Sequence, residues 1–412
     1  MILNSSLVEQ TIDGDLLGTF VKEIVLARPL AASEPPRLTG ADPAHAPRPL
    51  RPSAYPHALA ISHPGDVPLA LVRKRAVLPG AAAGTPGSGP TSSRGRAAPT
   101  KAPVLLVHGY GQNRYAWHLP SRSFSNYLAA GGYDVFNLDL RGHGRSRYLG
   151  ARPPKDLTEY VREDLPAAVA EVRRLSGERP VFLIGHSLGG LISYAAAARL
   201  KDAVAGVVTL GSPYHFTAGS RFLSLLGSAM LTVDRAVPLG HGALPLKGAG
   251  ELLRLARVLM ESPIFPLPIR GYAPGSIERR VLGQHMSLAM DQGSITVIRN
   301  MFLRAAEARA TGHRLGVLYG YAAAFEALDL PLLVIAGSED SLAPPESVEP
   351  AFARSHSSDK TYRVFPRGHI DIIMGRDAPL TIWPLILAWL HGHVRQREGG
   401  GPQRSGGPRA AA

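Results

Sequence analysis

The chain of 412 residues contains no cysteine. This absence excludes disulfide bonds, thiolate metal sites and a cysteine nucleophile. The sequence also has no uninterrupted apolar run of about 18 residues, which is the length that a membrane-spanning helix requires. Its N-terminus, MILNSSLVEQTIDGDLLG, lacks the basic start and the apolar core of a secretory signal peptide. Together these absences predict a cytoplasmic protein.

Signals of nucleic-acid recognition are also missing, although the net charge is +13. No cluster of Lys and Arg is interleaved with stacking aromatic residues, and no helix-turn-helix or zinc-binding pattern is present. We therefore expect no nucleic-acid partner. The largest positive excess lies in residues 213–320, which contain twelve basic and six acidic residues. That excess predicts weak contact with an anionic membrane surface, while scattered solvated charge is the alternative explanation.

Glycine and proline are abundant but unevenly spread. Much of the excess of 44 glycines and 36 prolines lies in residues 28–56, 79–103 and 397–412. Such stretches bury too little apolar surface to offset the entropy of ordering them. The composition predicts a linker, a long loop and a disordered tail. Before the linker, the apolar residues of 3–26 recur at helical spacing.

The rest of the chain alternates between short apolar runs and helical patterns. PVLLVHG (103–109) and PVFLIGHS (180–187) are typical of strands buried on both faces, and LGGLISYAAAARL (188–200) is typical of a helix. This alternation predicts an α/β fold with a mostly parallel central sheet flanked by helices. It stops over 213–320, where several helical patterns follow one another with no clear pair of strands, and then resumes.

These patterns divide the chain into five predicted parts. They are an N-terminal helical segment with a proline-rich linker (1–60), a first core part (61–212) that contains a Gly/Pro/Ser-rich loop (79–102), an inserted helical cap (213–320), a second core part (321–394) and a disordered tail (395–412).

One candidate catalytic motif is GHSLGG, which directly follows the apolar run PVFLI. A serine at a sharp turn from strand to helix is held in a strained conformation with its hydroxyl projecting, so Ser187 is a candidate nucleophile. Gly185 and Gly189 leave room for the helix to fold back against the strand. Leu188 is the first residue of that helix, and the N–H groups at the N-terminus of a helix stabilise negative charge.

Two further candidates follow later strands. Ligands in open α/β sheets bind at the carboxyl ends of the strands, and Asp340 and His369 come just after two such strands. With Ser187 they form the set that a serine hydrolase requires. Glu339 is an alternative acid, although the spacing favours Asp340. Asp371 follows the histidine too closely to orient its ring from the far side.

The loop after the first of these parallel strands contains a second histidine and a run of glycines. His108 is an alternative base, but we expect it to shape the loop that contains Gly109 and Tyr110. The N–H of Tyr110 is then the second donor to a developing oxyanion. His143, in the glycine-rich turn RGHGRS, is expected to be structural.

At these residues the chain resembles the α/β-hydrolase superfamily over about 60–394. HGYGQN, DLRGHGRS, GHSLGG, AGSEDSLAPP and GHIDIIMG are similar, in order, to its oxyanion loop, post-strand turn, nucleophile elbow, acid loop and histidine loop. AGGYDVFNLDLRGHGRS is most similar to the acid lipase and esterase branch. The chain departs from that branch in reading His-Ser-Leu where the branch usually has His-Ser-Gln, and in lacking its secretion signal and cysteines.

The resemblance implies a catalytic triad of Ser187, Asp340 and His369, with an oxyanion hole formed by the N–H groups of Tyr110 and Leu188. It also implies that the insert is a cap over an acyl pocket, and that neither a metal nor an organic cofactor takes part. A serine nucleophile argues against the dehalogenases and epoxide hydrolases of the superfamily, which use aspartate. The expected substrate is a small-molecule or lipid carboxylic ester with an apolar acyl group.

Two other functions remain open at this point. An acyltransferase uses the same acyl-enzyme but passes the acyl group to an alcohol, and a non-catalytic member of the fold would keep the pocket for ligand binding. The sequence also leaves the oligomeric state undetermined.

Overall fold

The computed structural model describes residues 20–28, 68–77, 97–236, 243–244, 271–310 and 321–399. The predicted linker after Arg28, the Gly/Pro/Ser-rich loop between Val77 and Ala97, and the chain after Gly399 lie outside the described residues. Among the described residues, none of the helices combines the length and the apolarity that crossing a membrane requires.

The centre of the fold is an eight-stranded sheet in the order β1-β2-β4-β3-β5-β6-β7-β8. The pairs β1–β2 and β2–β4 are antiparallel, and every other neighbouring pair is parallel. The predicted α/β fold with a mostly parallel sheet is therefore confirmed. The strands are β1 (Phe20–Ala27), β2 (Leu69–Ala76), β3 (Pro103–Val107), β4 (Asp134–Leu138), β5 (Val181–His186), β6 (Val204–Leu210), β7 (Leu332–Gly337) and β8 (Lys360–Phe365).

Helices cover both faces of this sheet. Along β3, Leu105 and Val107 pack into one apolar cluster, whereas Val104 and Leu106 pack into another on the opposite face. This is the period-two alternation of a strand buried on both sides. The helices are α1 (Phe124–Ala130), α2 (Gly144–Tyr148), α3 (Leu165–Leu175), α4 (Leu188–Leu200), α5 (Arg221–Ala236), α6 (Arg279–Gln284), α7 (Ile295–Ala310), α8 (Tyr321–Glu326), α9 (Pro345–Val348), α10 (Pro350–Arg354), α11 (Asp371–Met374) and α12 (Ile382–Gly399).

The helix predicted over 3–26 is wrong where the structure describes it, because residues 20–27 form the edge strand β1. Val21, Val25 and Ala27 are buried at positions two or four apart, as one face of a strand requires. The backbone of β1 pairs with β2 along its whole length. That ladder and the β-branched side chains outweigh the helical spacing of the apolar residues.

The chain between β6 and β7 contains the predicted insert, with α5, α6 and α7. Gly227 of α5 packs directly against the ring of Phe302 of α7. Residues 243–244 also pair with 293–294 as two short antiparallel strands, which the sequence did not predict.

The boundary of the predicted tail is also wrong, because α12 continues to Gly399. The guanidinium of Arg397 donates to the Ala205 carbonyl at 3.0 Å, which holds this end of the helix against the core.

Candidate active site

The turn at Ser187 joins β5 directly to α4. Ser187 has φ 52° and ψ −122°, a backbone conformation that a residue with a side chain rarely adopts. Its N–H donates to the Leu210 carbonyl of the neighbouring strand β6 at 3.0 Å. Within residues 181–190 it is the one residue that is not fully buried. The strain and the partial exposure are those of a nucleophile elbow.

The glycines around this turn are required by close backbone contacts. A Cβ atom at Gly185 would overlap the backbone of Gly190, and one at Gly189 would overlap the carbonyl of Val107. Gly109, in the loop after β3, is close to side chains instead, because an added Cβ would lie 2.9 Å from the Gln112 Oε1 and 3.2 Å from the Ser187 Cβ. Side chains at Gly185 and Gly189 would push the helix away from the strands.

His369 and Asp340 lie beside each other at the same edge of the sheet, after β8 and β7. The His369 Nδ1 is 2.7 Å from the Asp340 Oδ2. Asp340 is only 2% exposed, and its other oxygen accepts the N–H groups of Leu342 and Ala343 at 2.8 Å each. A neutral His369 that donates from Nδ1 keeps a lone pair on Nε2, as a general base requires.

The alternative acids lie elsewhere. Glu339 is exposed, and its N–H donates to the Arg367 carbonyl at 3.1 Å. Asp371 is buried, and its Oδ2 accepts the N–H of Ala273 at 3.2 Å. The carboxylate that contacts His369 is therefore that of Asp340.

His186 is a residue of this site that the sequence analysis did not single out. Its Nε2 lies 3.0 Å from the carbonyl oxygen of His369, and the two rings are 4.6 Å apart. Complete burial lowers the pKa of His186 well below its usual value, so the ring is neutral and donates from Nε2. It thereby links the elbow to the histidine loop. Its place next to Ser187 was the only signal in the sequence.

The two expected oxyanion donors belong to two separate elements of the fold. Leu188 is the first residue of α4, where backbone N–H groups have no partner within the helix. Tyr110 belongs to the loop after β3, in which the N–H of Gly109 donates to the Gln112 side chain at 3.1 Å. The assignment of these two N–H groups as oxyanion donors stays a prediction.

His108 and His143 are held within the core. The Nε2 of His108 accepts the Leu140 N–H at 3.1 Å, and its Nδ1 donates to the Gly109 carbonyl at 2.9 Å. His143 contacts the Tyr160 hydroxyl at 3.2 Å, and burial lowers its pKa to about 3. Neither is placed to act as a base for Ser187. Over the ranges that the structure describes, no group of three or more His, Asp and Glu residues could hold a metal ion.

Comparisons with known proteins give relatives of several kinds. Epoxide hydrolase 3 of Xenopus tropicalis is 32% identical over 111 residues, which are 27% of this chain and 28% of that protein. The monoacylglycerol lipase of Mycolicibacterium smegmatis is 25% identical over 294 residues, which cover 71% of this chain and 88% of the lipase. This chain therefore matches most of the lipase but under a third of the epoxide hydrolase.

A solved structure shows the same fold. It is a soluble variant of the monoglyceride lipase of Saccharomyces cerevisiae in complex with a substrate analogue. The TM-score is 0.50 at 19% identity, over 79% of this chain and 92% of that one. A sequence profile described as the alpha/beta hydrolase fold matches residues 102–375, a range that includes Ser187, Asp340 and His369. This chain therefore belongs to the alpha/beta hydrolase fold family, with a likeness to its lipases and esterases.

Proposed function

We propose that this protein hydrolyses carboxylic esters with Ser187 as nucleophile, His369 as general base and Asp340 as the residue that orients the histidine. The observation that carries the proposal is the 2.7 Å contact between His369 and the buried carboxylate of Asp340, at the sheet edge where Ser187 occupies its strained turn. The likeness to lipases and esterases supports the same class of reaction.

The reaction proceeds through an acyl-enzyme. The Nε2 of His369 takes the Ser187 hydroxyl proton as Oγ attacks the ester carbonyl, while Asp340 stabilises the imidazolium that forms. The carbonyl oxygen becomes an oxyanion, and the N–H groups of Tyr110 and Leu188 stabilise it by about 3 kcal/mol per donor. His369 then protonates the departing alcohol. Water attacks the acyl-enzyme in the reverse sequence, releasing the acid and restoring the Ser187 hydroxyl.

Epoxide hydrolysis is the chemistry that the names of some relatives suggest, and the nucleophile position argues against it here. The superfamily's epoxide hydrolases place an aspartate where this chain has Ser187. A serine alkoxide attacks a carbonyl and forms an ester that water can hydrolyse, whereas an ether formed from an epoxide could not be released in the same way.

The insert contributes apolar side chains to the core cluster beside the oxyanion loop. Tyr110 packs against an apolar cluster that includes Leu223 of α5, with Val297 and Phe302 of α7. Each buried methylene of an acyl chain contributes about 0.8 kcal/mol of binding free energy. We propose that the insert is a cap that selects apolar acyl chains, and that lipid esters are among the substrates, as the name of the lipase relative suggests.

The outer face of α5 is proposed to contact an anionic lipid surface. Phe222, Leu226 and Val233 are exposed along that face, and Leu225 is 70% exposed. The helix begins with Arg221 and has Arg235 near its end, and the insert as a whole has an excess of positive charge. Apolar insertion together with charge attraction is the recognised mode of interfacial helices.

Hydrolysis of anionic and neutral vesicles at low and high salt tests this contact, with a soluble ester as the control. Attraction to anionic vesicles is screened within about 8 Å at physiological ionic strength, so hydrolysis there should fall with salt. Hydrolysis of the soluble ester should stay constant. Equal vesicle rates in all four conditions would eliminate the surface contact.

The catalytic proposal is tested with a fluorophosphonate probe and p-nitrophenyl esters of graded acyl length. Ser187→Ala should abolish labelling and turnover while leaving the melting temperature unchanged. In the wild type, kcat/KM should rise over the first few acyl carbons. Turnover by Ser187→Ala near the wild-type rate would overturn the assignment, and a flat chain-length profile would overturn the cap's role. Adding an alcohol distinguishes hydrolysis from acyl transfer, since a transferase yields a new ester.

A further inference from the structure

The loop that contains Tyr110 is bound to a segment of the insert. The N–H of Asn113 donates to the Ala289 carbonyl at 3.0 Å, and the N–H of Asp291 donates to the Gly111 carbonyl at 2.7 Å. Gln112 and Met290 form an antiparallel bridge between these two hydrogen bonds. The backbone of the loop therefore continues into the insert as a short ladder.

A side-chain contact extends this ladder. The Tyr110 hydroxyl donates to the Ser294 carbonyl at 2.9 Å. The Asn113 Nδ2 also donates to the Leu288 carbonyl at 2.9 Å. Three consecutive backbone positions and two side chains of the loop are thus held by residues 288–294. The expected oxyanion donor, the N–H of Tyr110, precedes the first of these backbone contacts by one residue.

The carboxylate of Asp291 ties the same segment to a third element. Its Oδ2 accepts the N–H of Gly144 at 2.7 Å, and its Oδ1 pairs with the Arg147 guanidinium at 2.7 Å. Gly144 and Arg147 belong to α2, which follows β4. Asp291 is 2% exposed, so these charge-assisted hydrogen bonds are shielded from water.

We infer that Asp291 is a positioning residue that couples the seating of the insert to the geometry of the oxyanion hole. The inference rests on the proposed function. The backbone of Asp291 holds Gly111, while the Asp291 carboxylate is held by α2 of the core. Without the carboxylate, the backbone of residue 291 loses its anchor, and the Tyr110 N–H moves with the loop. Displacing a catalytic donor by about 1 Å slows the chemical step by on the order of 10²-fold.

Asp291→Asn tests this inference with little change in shape. All partners of the carboxylate are donors, including the Gln292 N–H at 2.8 Å and the Asn113 Nδ2 at 3.4 Å, so the amide NH₂ of asparagine must face at least one of them. Asp156→Asn is the matched control, because Asp156 pairs with Arg304 of α7 at 3.7 Å and joins the insert to the core without contacting the oxyanion loop. Each variant is titrated with the fluorophosphonate probe, so that rates refer to competent sites.

The readout is the ratio of activity on an ester to activity on its thionoester, in which sulfur replaces the carbonyl oxygen. Sulfur accepts hydrogen bonds weakly, so thionoester turnover depends less on the oxyanion donors. Asp291→Asn should lower kcat on the ester on the order of 10²-fold, with KM changed less than about threefold and a much smaller loss on the thionoester. Asp156→Asn should leave the ratio at the wild-type value.

The outcomes separate this inference from the proposed function. Equal losses on both esters in Asp291→Asn, or no loss on either, would overturn the positioning role. A wild-type protein that neither reacts with the probe nor hydrolyses esters would overturn the proposed function itself. Melting temperatures of both variants show whether Asp291→Asn is folded. The ratio is measured within one preparation, so partial unfolding does not mimic the expected result.

Discussion

Replacing Asp340 by asparagine should inactivate the enzyme through the tautomer of His369. In the wild type, Asp340 Oδ1 accepts two backbone N–H groups, and Oδ2 accepts the histidine Nδ1–H. An asparagine amide has one oxygen, and the two N–H groups of Leu342 and Ala343 require it at the Oδ1 position. The NH₂ group must then face His369 Nδ1. That ring nitrogen can only accept, so the histidine proton moves to Nε2.

A histidine protonated on Nε2 has no lone pair for the Ser187 proton. The wrong tautomer costs about 10⁴ in kcat in a related triad, which corresponds to about 5.4 kcal/mol of activation free energy. The assay is kcat on a p-nitrophenyl ester, normalised by fluorophosphonate titration. Glu339→Gln is the matched control, because this neighbouring carboxylate is exposed and does not contact His369. We expect kcat of the control within about twofold of wild type, as for most surface substitutions.

Two results would refute this reasoning. If Asp340→Asn kept more than about a tenth of the wild-type kcat, the buried contact would not set the tautomer on which the mechanism depends. If Glu339→Gln lost more activity than Asp340→Asn, the catalytic acid would be Glu339.

Two further predictions concern the backbone and pH. Gly189→Ala should prevent folding or abolish activity, because its Cβ would overlap the Val107 carbonyl. Gly392→Ala is its control: that glycine lies within α12 with no atom near an added Cβ, so alanine should stabilise the protein by about 1 kcal/mol in thermal denaturation. A folded, active Gly189→Ala variant would contradict the close approach of helix and strand. For pH, burial lowers the pKa of His285 to about 4, below the value of about 6.5 expected in the unfolded chain. The unfolded chain then binds a proton between pH 6.5 and 4 that the folded protein does not, so the free energy of unfolding decreases as the pH is lowered through this window. His285→Phe should reduce that slope by about 1.4 kcal/mol per pH unit in urea titrations, and an unchanged slope would mean that His285 is protonated in the folded state.

The sequence by itself determined the α/β fold and placed the three triad candidates at strand ends. Short apolar runs that end in glycine have the period of buried strands, and parallel strands bring their carboxyl ends to one edge. Ser187, Asp340 and His369 follow three such runs. The glycines around the serine could be predicted for the same local reason, since a strand-to-helix turn leaves no room for side chains.

Only the tertiary structure decided which of the neighbouring carboxylates contacts the histidine. Asp340 and Glu339 are adjacent, and the direction of each side chain depends on how the loop after β7 packs. The tertiary structure also decided the conformation of residues 20–27, which form β1. The spacing of its apolar residues is also compatible with a helix, and pairing with β2, over forty residues later in the chain, selects the strand.

The contacts of His186 and Asp291 required the fold as well. Asp291 meets Gly144 across 147 residues of sequence, and His186 meets the His369 carbonyl across 183. Periodicity and capping act over a few residues, so they carry no information about contacts that form only when distant elements pack. The local sequence therefore indicated the candidate catalytic side chains, whereas long-range packing determined which residues surround them.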